Sequence, residues 1–401
     1  MAPGSGSLAG WASEAAVVPV EPQDNTTCGD GKGRYFVGAR EVEEGPVSAA
    51  CASPAALGSG LDPVRALQHA LYRAARADPG RRFHALWDKV SRSDVLWRAW
   101  VAVRLNNGAP GIDKITLAAV EEYGVARLPG ELASELREGR YRPLPARRVF
   151  IPKPGTTEQR PLSIPPVRDR IVQAAVKIVL EPVFEADFLP ASFGFRPRRS
   201  AHDALQVLID ECWRGRRWVV ETDIANCFSA IPHDKLMQAV QERVCDQAVL
   251  KLLRVMLRAG VMEDGRVRRP VTGTPQGGVL SPLMCHVCLH RLDRAWDGHD
   301  GVLVRFADDL VVMCWSRSQA ERALECLTAL LADLGLAPKA AKTRIVCVPR
   351  ARRERWLIGR RPRSMRCCVE DEGLLALRRR PSGGGVKPPH AALAEDRRGE
   401  R

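Results

Sequence analysis

Residues 300–314 read DGVLVRFADDLVVMC, in which two short apolar runs flank the adjacent acids Asp308 and Asp309. Apolar runs of this length on either side of a tight polar turn predict a β-hairpin. Two neighbouring carboxylates repel each other, and their burial is unfavourable unless a cation lies beside them. Taken alone, however, Asp-Asp is also a common turn sequence that needs no chemical role.

A third acid ends another predicted strand. Residues 218–224 read WVVETDI, so Asp223 follows an apolar run. If this strand and the hairpin bring their acids to one place, the three carboxylates can hold a pair of divalent ions. Two such ions activate an attacking hydroxyl and stabilise a leaving phosphate oxygen. Mg²⁺ suits a site of few carboxylates plus substrate phosphates. The simpler alternative makes Asp223 a strand-end cap.

Apolar periodicity divides much of the remaining chain into regular elements. The pattern predicts helices over 63–78, 83–104, 168–188, 203–213, 234–259 and 318–334, and two short strands within 147–165. Residues 1–60 and the last fifty or so residues have no sustained period, which is typical of segments without a core of their own.

The 401-residue chain is strongly basic. It has 61 Lys plus Arg against 47 Asp plus Glu, a formal net charge of +14, and residues 350–401 contribute 15 basic and 7 acidic side chains to it. This surplus favours an anionic partner, nucleic acid before membrane lipid, although charge for solubility is the plain alternative. We find no apolar stretch of about 18 residues that would cross a membrane, and no secretory signal.

The cysteines indicate a reducing compartment. Twelve of them lie at irregular spacings in a long chain, which fits reduced thiols and a cytoplasmic location better than a disulfide framework. Residues 285–288 read CHVC, the spacing of half a zinc site, but no second pair follows at a suitable distance. We therefore expect buried thiols there.

Seven blocks of the sequence, in their order and spacing, resemble the reverse transcriptases encoded by group II introns. They lie between about Ala66 and Val348 and are GRRFHALWDKVSRSDVLWRAWVAVRLNNGAPGID, RPLSIPPVRDRIVQAAVKIVLEPVFE, SFGFRPRRSAHDAL, VVETDIANCFSAIPHDKL, GTPQGGVLSPL, VRFADDLVV and GLAPKAAKTRIV. The resemblance implies an α+β fold, the fingers and palm of a right-hand polymerase, with an antiparallel palm sheet packed on helices.

This resemblance also implies the domain organisation. We expect a disordered leader (1–60), a helical extension with the start of the fingers (61–145), the fingers and palm (146–348) and a basic tail in place of a complete thumb (349–401). The block centred on Phe-Leu-Gly-Phe is missing, and residues 356–359, WLIG, resemble a remnant of it. We expect the maturase and endonuclease domains to be absent as well.

The resemblance also implies roles for individual residues. Asp223, Asp308 and Asp309 would be the catalytic, metal-binding acids, and the backbone of Ile224 would help to hold a metal. Phe306 stands where the family usually has Tyr. The residues implied to bind the nucleotide are Lys153, Arg160, Phe228, Gln276 and Lys342; those implied to contact template and primer are Arg168, Arg170, Arg196, Arg198, Arg199 and Gly277. Each has a plainer alternative as a solvated charge, a core aromatic ring or an ordinary turn.

The expected function is RNA-directed DNA synthesis. Two Mg²⁺ ions would assist nucleotidyl transfer from a dNTP to a primer 3′-hydroxyl. The partners would be an RNA template, expected to be group II intron RNA, a DNA primer and dNTPs, with no membrane. Two alternatives stay open from the sequence: an RNA-binding splicing cofactor without polymerase activity, and an inactive retroelement fragment.

Overall fold

A computed structural model of the chain describes residues 62–152, 159–269, 271–296 and 301–349. The predicted leader, nearly all of the predicted tail and Lys153 lie outside these residues, so the predictions made for them stay predictions. The chain divides into two units, Met1–Cys347 and Val348–Arg401. The fold reported below is that of the described part of the first unit.

The helices are mostly amphipathic, and several of them begin at a residue whose side chain caps the first turn. In the described residues they are α1 (Pro63–Ala77), α2 (Trp87–Val90), α3 (Ser93–Leu105), α4 (Leu117–Gly124), α5 (Arg127–Arg137), α6 (Val167–Glu185), α7 (Ala201–Arg214), α8 (Cys227–Ala230), α9 (His233–Gln241), α10 (Gln247–Arg258), α11 (Ser281–Trp296) and α12 (Arg317–Asp333). Helix α7 shows the pattern fully: Ser200 and Asp203 form a capping box, and Gly215 ends the helix with φ +109°.

Two of the helices predicted from the sequence are each interrupted. The segment 83–104 contains a bridge at Phe83, then α2 and α3, and the segment 234–259 is divided into α9 and α10. One carboxylate explains both breaks. The Asp246 Oδ1 atom accepts from the first amides of α10, and its Oδ2 atom accepts from the amides of Leu86 and Trp87 at the start of α2. An acid that caps two helices must lie outside both of them.

The strands form two sheets. They are β1 (Ala146–Pro152), β2 (Gln159–Ile164), β3 (Ser192–Phe193), β4 (Trp218–Asp223), β5 (Val261–Glu263), β6 (Arg266–Arg268), β7 (Val302–Phe306), β8 (Asp309–Cys314) and β9 (Arg344–Cys347). The fingers sheet has the order β2-β1-β5-β6 and the palm sheet the order β3-β7-β8-β4-β9. The palm sheet is antiparallel except at β3, which pairs with β7 in parallel.

Helix α6 is the centre of the core. It is apolar on most of its circumference, and seven of its side chains are entirely shielded from solvent: Ile171, Val172, Ala175, Val176, Val179, Leu180 and Val183. It packs against α1 and α3, and also contacts α11. A helix that is buried nearly all round fixes the elements about it, and the predicted α+β fold class is confirmed.

The described helices include none that is both long enough and apolar enough to cross a bilayer.

Candidate active site

The register of the palm sheet brings the predicted acids together. Strands β4 and β8 are antiparallel, and Asp223 is paired directly with Asp309. The amide of Ile224 donates to the main-chain oxygen of Asp308 over 3.2 Å. Residues paired across an antiparallel ladder have Cα atoms about 4.5–5.5 Å apart. Two carboxylates on neighbouring strands and a third in the adjoining turn therefore lie at one end of the palm sheet.

The turn that carries the acids is as short as a hairpin allows. Phe306 pairs with Asp309, so only Ala307 and Asp308 connect β7 to β8. Ala307 has φ +57°, a conformation that two-residue hairpin turns require and that usually selects glycine. The sequence predicted this hairpin correctly, but not the left-handed alanine within it.

The carboxylates repel one another. Burial, followed by the negative charge of Asp223, raises the pKa of Asp308. Burial, followed by the charges of Asp308 and Asp223, raises the pKa of Asp309 to about 6. Half-buried acids with raised pKa values repel each other, and a nearby cation would relieve that repulsion.

Lys342 supplies part of that positive charge. Its Nζ atom lies 2.7 Å from Asp223 Oδ2, and the lysine follows β8 and α12 on a 3₁₀ turn, Ala340–Lys342. The hydrogen bond to Asp223 raises the pKa of Lys342. The lysine side chain is 54% exposed, so the ion pair is a weak one that a stronger cation can replace.

The donor set fits magnesium. The acids offer hard carboxylate oxygens, which Mg²⁺ prefers, and they leave room for substrate oxygens as further ligands. Within the described residues, no three His, Cys, Asp or Glu side chains are gathered closely enough to form a ready cation cage. The three acids are thus neighbours, and the Oδ2 atom of Asp223 is engaged by Lys342.

Arg160 belongs to the fingers sheet yet acts electrostatically on the acids. It lies on β2 opposite Ile151 and is exposed. Its positive charge lowers the pKa of Asp308, against the larger effect of burial. The guanidinium group is therefore within electrostatic reach of the acids, where an incoming anionic substrate would meet it.

The glycine loop 276–278 joins the fingers to the palm. The amide of Ser163 on β2 donates to the main-chain oxygen of Gln276 over 2.6 Å. Gly277 has φ +105°, and a Cβ atom there would lie 3.0 Å from the Ser163 oxygen. Phe228 on α8 is half-buried against the core, and its oxygen accepts from the amide of Thr274 over 2.7 Å. The loop thus lies between β2 and the start of α8.

Two of the arginines predicted to contact template do not face solvent, which corrects that prediction. Arg170 and Arg196 are each 3% exposed. Arg170 donates to the oxygen of Ala109, and Arg196 pairs with Glu185 and also donates to main-chain oxygens near β3. Both guanidinium groups are therefore engaged with the protein itself, Arg196 through several acceptors and Arg170 through the oxygen of Ala109.

The other predicted template arginines remain accessible in part. Arg168 pairs with Glu135 over 2.6 Å and is about one-third exposed. Arg199 donates to the oxygen of Pro190 and stacks over Phe193. Arg198 is exposed, with φ +57°. For these three arginines, contact with template and primer stays a prediction.

Sequence reasoning missed a buried ion pair behind the acids. Arg305 on β7 and Asp293 on α11 are both shielded from solvent and joined by two hydrogen bonds. His286, part of the CHVC segment, contacts the same arginine. The only signal in the sequence was an arginine inside the apolar run VLVRF, where a charge needs a buried partner.

The comparison with protein families shows the family of the chain. The family model described as "Reverse transcriptase (RNA-dependent DNA polymerase)" matches residues 151–369, more than half of the chain. The chain belongs to the reverse transcriptase family. This match confirms the recognition made from the sequence blocks and the expected class of fold, while the domain bounds expected from the sequence stay a prediction.

The curated relatives of this reverse transcriptase include intron-encoded proteins. It is 38% identical over 240 residues to protein YkfC of Escherichia coli (strain K12), an alignment that covers 58% of this chain and 62% of that protein. It is 34% identical over 236 residues to the group II intron-encoded protein LtrA of Lactococcus lactis subsp. cremoris, covering 58% of this chain and 39% of that one. The chain therefore spans about two to three fifths of the length of these relatives.

Among solved structures, the partial Cas6-RT-Cas1--Cas2 complex aligns with a TM-score of 0.39 at 22% identity, covering 62% of this chain and 41% of that chain. Because a TM-score below 0.5 does not establish a shared fold, the fold assignment rests on the topology of this chain and on the family model.

Proposed function

We propose that this chain catalyses RNA-templated DNA synthesis, adding nucleotides from dNTPs to a primer 3′-hydroxyl. One observation carries the proposal: the register that pairs Asp223 with Asp309 and places Asp308 in the adjoining turn. At this end of the sheet half-buried acids repel each other, and members of the family generally use divalent metals such as Mg²⁺.

The carboxylates of Asp223, Asp308 and Asp309, with the main chain of Ile224, would hold two Mg²⁺ ions. The chemistry that two such ions supply is activation of the primer hydroxyl and stabilisation of the leaving phosphate oxygen. The protein contributes by presenting the three carboxylates on a rigid sheet end, so that little reorganisation accompanies the reaction.

Positively charged side chains would bind the triphosphate. Arg160 lies within electrostatic reach of the acids, and we assign it, together with Lys153, to the phosphates of the incoming nucleotide. Lys342 would leave Asp223 when a cation binds and would then be able to donate its proton to the departing pyrophosphate. The hydrogen bond to Asp223 raises the pKa of Lys342 before a cation binds, so the lysine is protonated when it leaves Asp223.

The remaining predicted residues would align the nucleotide and the template. Phe228, half-buried next to β4, would limit the space beside the sugar and so disfavour a 2′-hydroxyl. Gln276 and Gly277 would lie against the new base pair, where the glycine permits close approach of the main chain. Arg168, Arg198 and Arg199 would bind template phosphates, an affinity that falls as salt rises.

We further propose that the template is an intron RNA of group II type and that the protein acts in the cytoplasm. The name of one relative, a group II intron-encoded protein, and the basic charge of the chain support the choice of RNA. The alignments cover only part of YkfC and LtrA, which contain further sequence. We therefore assign no splicing activity to this chain.

Extension of a DNA primer on poly(rA) with dTTP and Mg²⁺ tests the proposal. The full chain should extend the primer, and Asp308→Ala should lower the rate by at least ~10³-fold because a metal-binding carboxylate is lost. Asp333→Ala is the matched control, since Asp333 is an exposed carboxylate at the end of α12.

The outcomes separate the three functions considered. Extension that depends on Asp308 supports polymerisation. No extension above the Asp308→Ala level at several salt concentrations, with salt-sensitive RNA binding intact in both proteins, would contradict it in favour of a splicing cofactor. The absence of both activities would favour an inactive fragment.

A further inference from the structure

Arg305 is a fully buried arginine that lies three residues before Asp308, with an exposed fraction of 0%. Its Nε and Nη2 atoms donate to the two carboxylate oxygens of Asp293 on α11. Nη2 also donates to Ser192 Oγ over 2.8 Å, and Nη1 donates to the oxygen of Ala307 over 2.9 Å. An arginine has five N–H donors, and these contacts engage four of them.

His286 accepts the fifth donor. Its Nε2 atom lies 2.6 Å from the oxygen of Gly194, and a carbonyl can only accept, so Nε2 carries the hydrogen. Burial, followed by the charge of Arg305, holds the pKa of His286 well below its ordinary value, so the ring is neutral. The unprotonated Nδ1 atom then accepts from Arg305 Nη1 over 3.2 Å. Every donor of the arginine is matched to an acceptor.

One of these acceptors belongs to the catalytic turn. The oxygen of Ala307 is part of the peptide group that joins Ala307 to Asp308. A hydrogen bond to this oxygen therefore fixes the orientation of the peptide plane that precedes Asp308. Ala307 has φ +57°, which is unfavourable for a residue with a Cβ atom. Gly194 packs against the same turn: a Cβ atom there would lie 2.8 Å from the Ala307 nitrogen.

We propose that Arg305 is a positioning residue for Asp308 and Asp309, because its guanidinium group holds the carbonyl of Ala307 and thereby keeps the turn in its left-handed conformation. Asp293, Ser192 and His286 keep the guanidinium group in that orientation. The inference rests on the proposed function, since it concerns how the same acids are presented. The proposed role is more than that of a buried ion pair, because Arg305 could pair with Asp293 without a hydrogen bond to the turn.

The substitution Arg305→Lys tests this role. Lysine keeps the positive charge beside Asp293, but its donors radiate from one nitrogen and cannot reproduce the fork that reaches Ala307. We expect kcat to fall roughly 100-fold, as for a small misplacement of reacting groups. KM for dTTP should stay within about twofold, because the phosphate-binding side chains are unchanged.

A second substitution should rescue the first. Glycine adopts a positive φ without a steric penalty, so Ala307→Gly in the Arg305→Lys background should restore kcat roughly tenfold. Ala307 is buried, so removing its methyl group takes packing away and would not repair a general loss of packing. Failure of Ala307→Gly to restore kcat would overturn the proposal.

Arg243→Lys is the matched control. Arg243 is 4% exposed, lies 3.2 Å from Asp187 and donates to the main-chain oxygens of Ala75 and Pro79, with no bond to the turn. It should lose thermal stability to a similar extent while kcat stays within about twofold of the wild-type value. An equal fall of kcat in both lysine variants would overturn the proposal.

Hydrogen exchange separates this inference from the proposed function. The amide of Ile224 donates to the oxygen of Asp308, so its exchange reports the position of the turn with no substrate present. It should be at least roughly tenfold faster in Arg305→Lys, slow again with Ala307→Gly, and unchanged in Arg243→Lys. Unchanged exchange in Arg305→Lys would overturn the inference even if the wild type polymerises, and the predicted pattern would support it even if the wild type does not.

Should Arg305→Lys fail to accumulate as folded protein, Ser192→Ala removes a single acceptor of Arg305 and keeps its charge pair. It should show the same pattern at smaller size, roughly threefold in kcat and in Ile224 exchange. No change in either quantity would overturn the proposal.

Discussion

The two hairpins that meet at the candidate active site are built in opposite ways. The palm hairpin β7–β8 has mostly buried side chains on both strands and turns in two residues. The fingers hairpin β1–β2 has mostly exposed or half-buried side chains near its tip, Arg160 among them. The first holds acids that must keep a fixed geometry. The second presents positive charge that can meet a substrate from solvent.

The difference has an energetic consequence. In the palm hairpin, burial and mutual repulsion raise the pKa values of Asp308 and Asp309. The ionised acids therefore lower the stability of the folded chain, and the packing of the sheet offsets this cost. In the fingers hairpin Arg160 is solvated and adds little to stability. A substitution in the fingers hairpin should therefore change nucleotide binding with little effect on stability. A substitution of an acid in the palm hairpin should change the stability of the folded chain.

The larger effect is expected in the fingers. Arg160→Ala removes a cation from the proposed triphosphate site, so KM for dTTP should rise roughly 10- to 30-fold while the free energy of unfolding changes by less than about 0.5 kcal/mol. Steady-state kinetics on poly(rA) with a DNA primer measures it.

Arg266→Ala is the control for Arg160→Ala. Arg266 is an exposed arginine on β6, at the opposite edge of the same sheet. Its removal should leave KM unchanged. Equal increases of KM in both variants would show that general positive charge, and not the position of Arg160, binds the nucleotide.

The smaller effect is expected in the palm and concerns pH. The pKa of Asp309 is about 6 in the folded chain and near 3.9 when unfolded, so the folded state binds more protons between these values. Its contribution to stability is fully present below pH ~4 and is lost as the pH rises through ~6. In the presence of EDTA, Asp309→Asn should therefore be more stable than the wild type at pH 7, by about 1–2 kcal/mol, and the difference should shrink toward pH 4.5.

Urea denaturation at pH 4.5, 5.5 and 7 measures this difference. Asp333→Asn, the exposed carboxylate at the end of α12, serves as the control and should match the wild type throughout. The account of the palm hairpin is wrong if Asp309→Asn is the less stable protein at pH 7, or if its gain does not depend on pH.

Much of the fold could be predicted because its signals are local. The β7–β8 hairpin follows from two apolar runs on either side of a polar turn, α6 follows from helical periodicity, and the structure has both. The breaks at Phe83 and Asp246 could not be predicted, because the carboxylate that caps α2 is 160 residues away from Leu86 in the sequence. Periodicity cannot register a cap that comes from a distant segment.

The site divides in the same way. That Asp223, Asp308 and Asp309 would meet was predictable from strand ends combined with a family resemblance. The burial of Arg170 and Arg196 was not, because in sequence a structural arginine and a phosphate-binding arginine look alike. Their roles differ only through acceptors such as the Ala109 oxygen, which lies 61 residues away from Arg170.

The central claim is that three carboxylates at one end of the palm sheet hold two divalent ions. The most direct measurement is anomalous diffraction from crystals of the full chain with primer, template and a non-hydrolysable dNTP in Mn²⁺. The account predicts two Mn²⁺ peaks at about 2.0–2.3 Å from oxygens of Asp223, Asp308 and Asp309. Well-ordered nucleotide with no Mn²⁺ peak among these three side chains would contradict it.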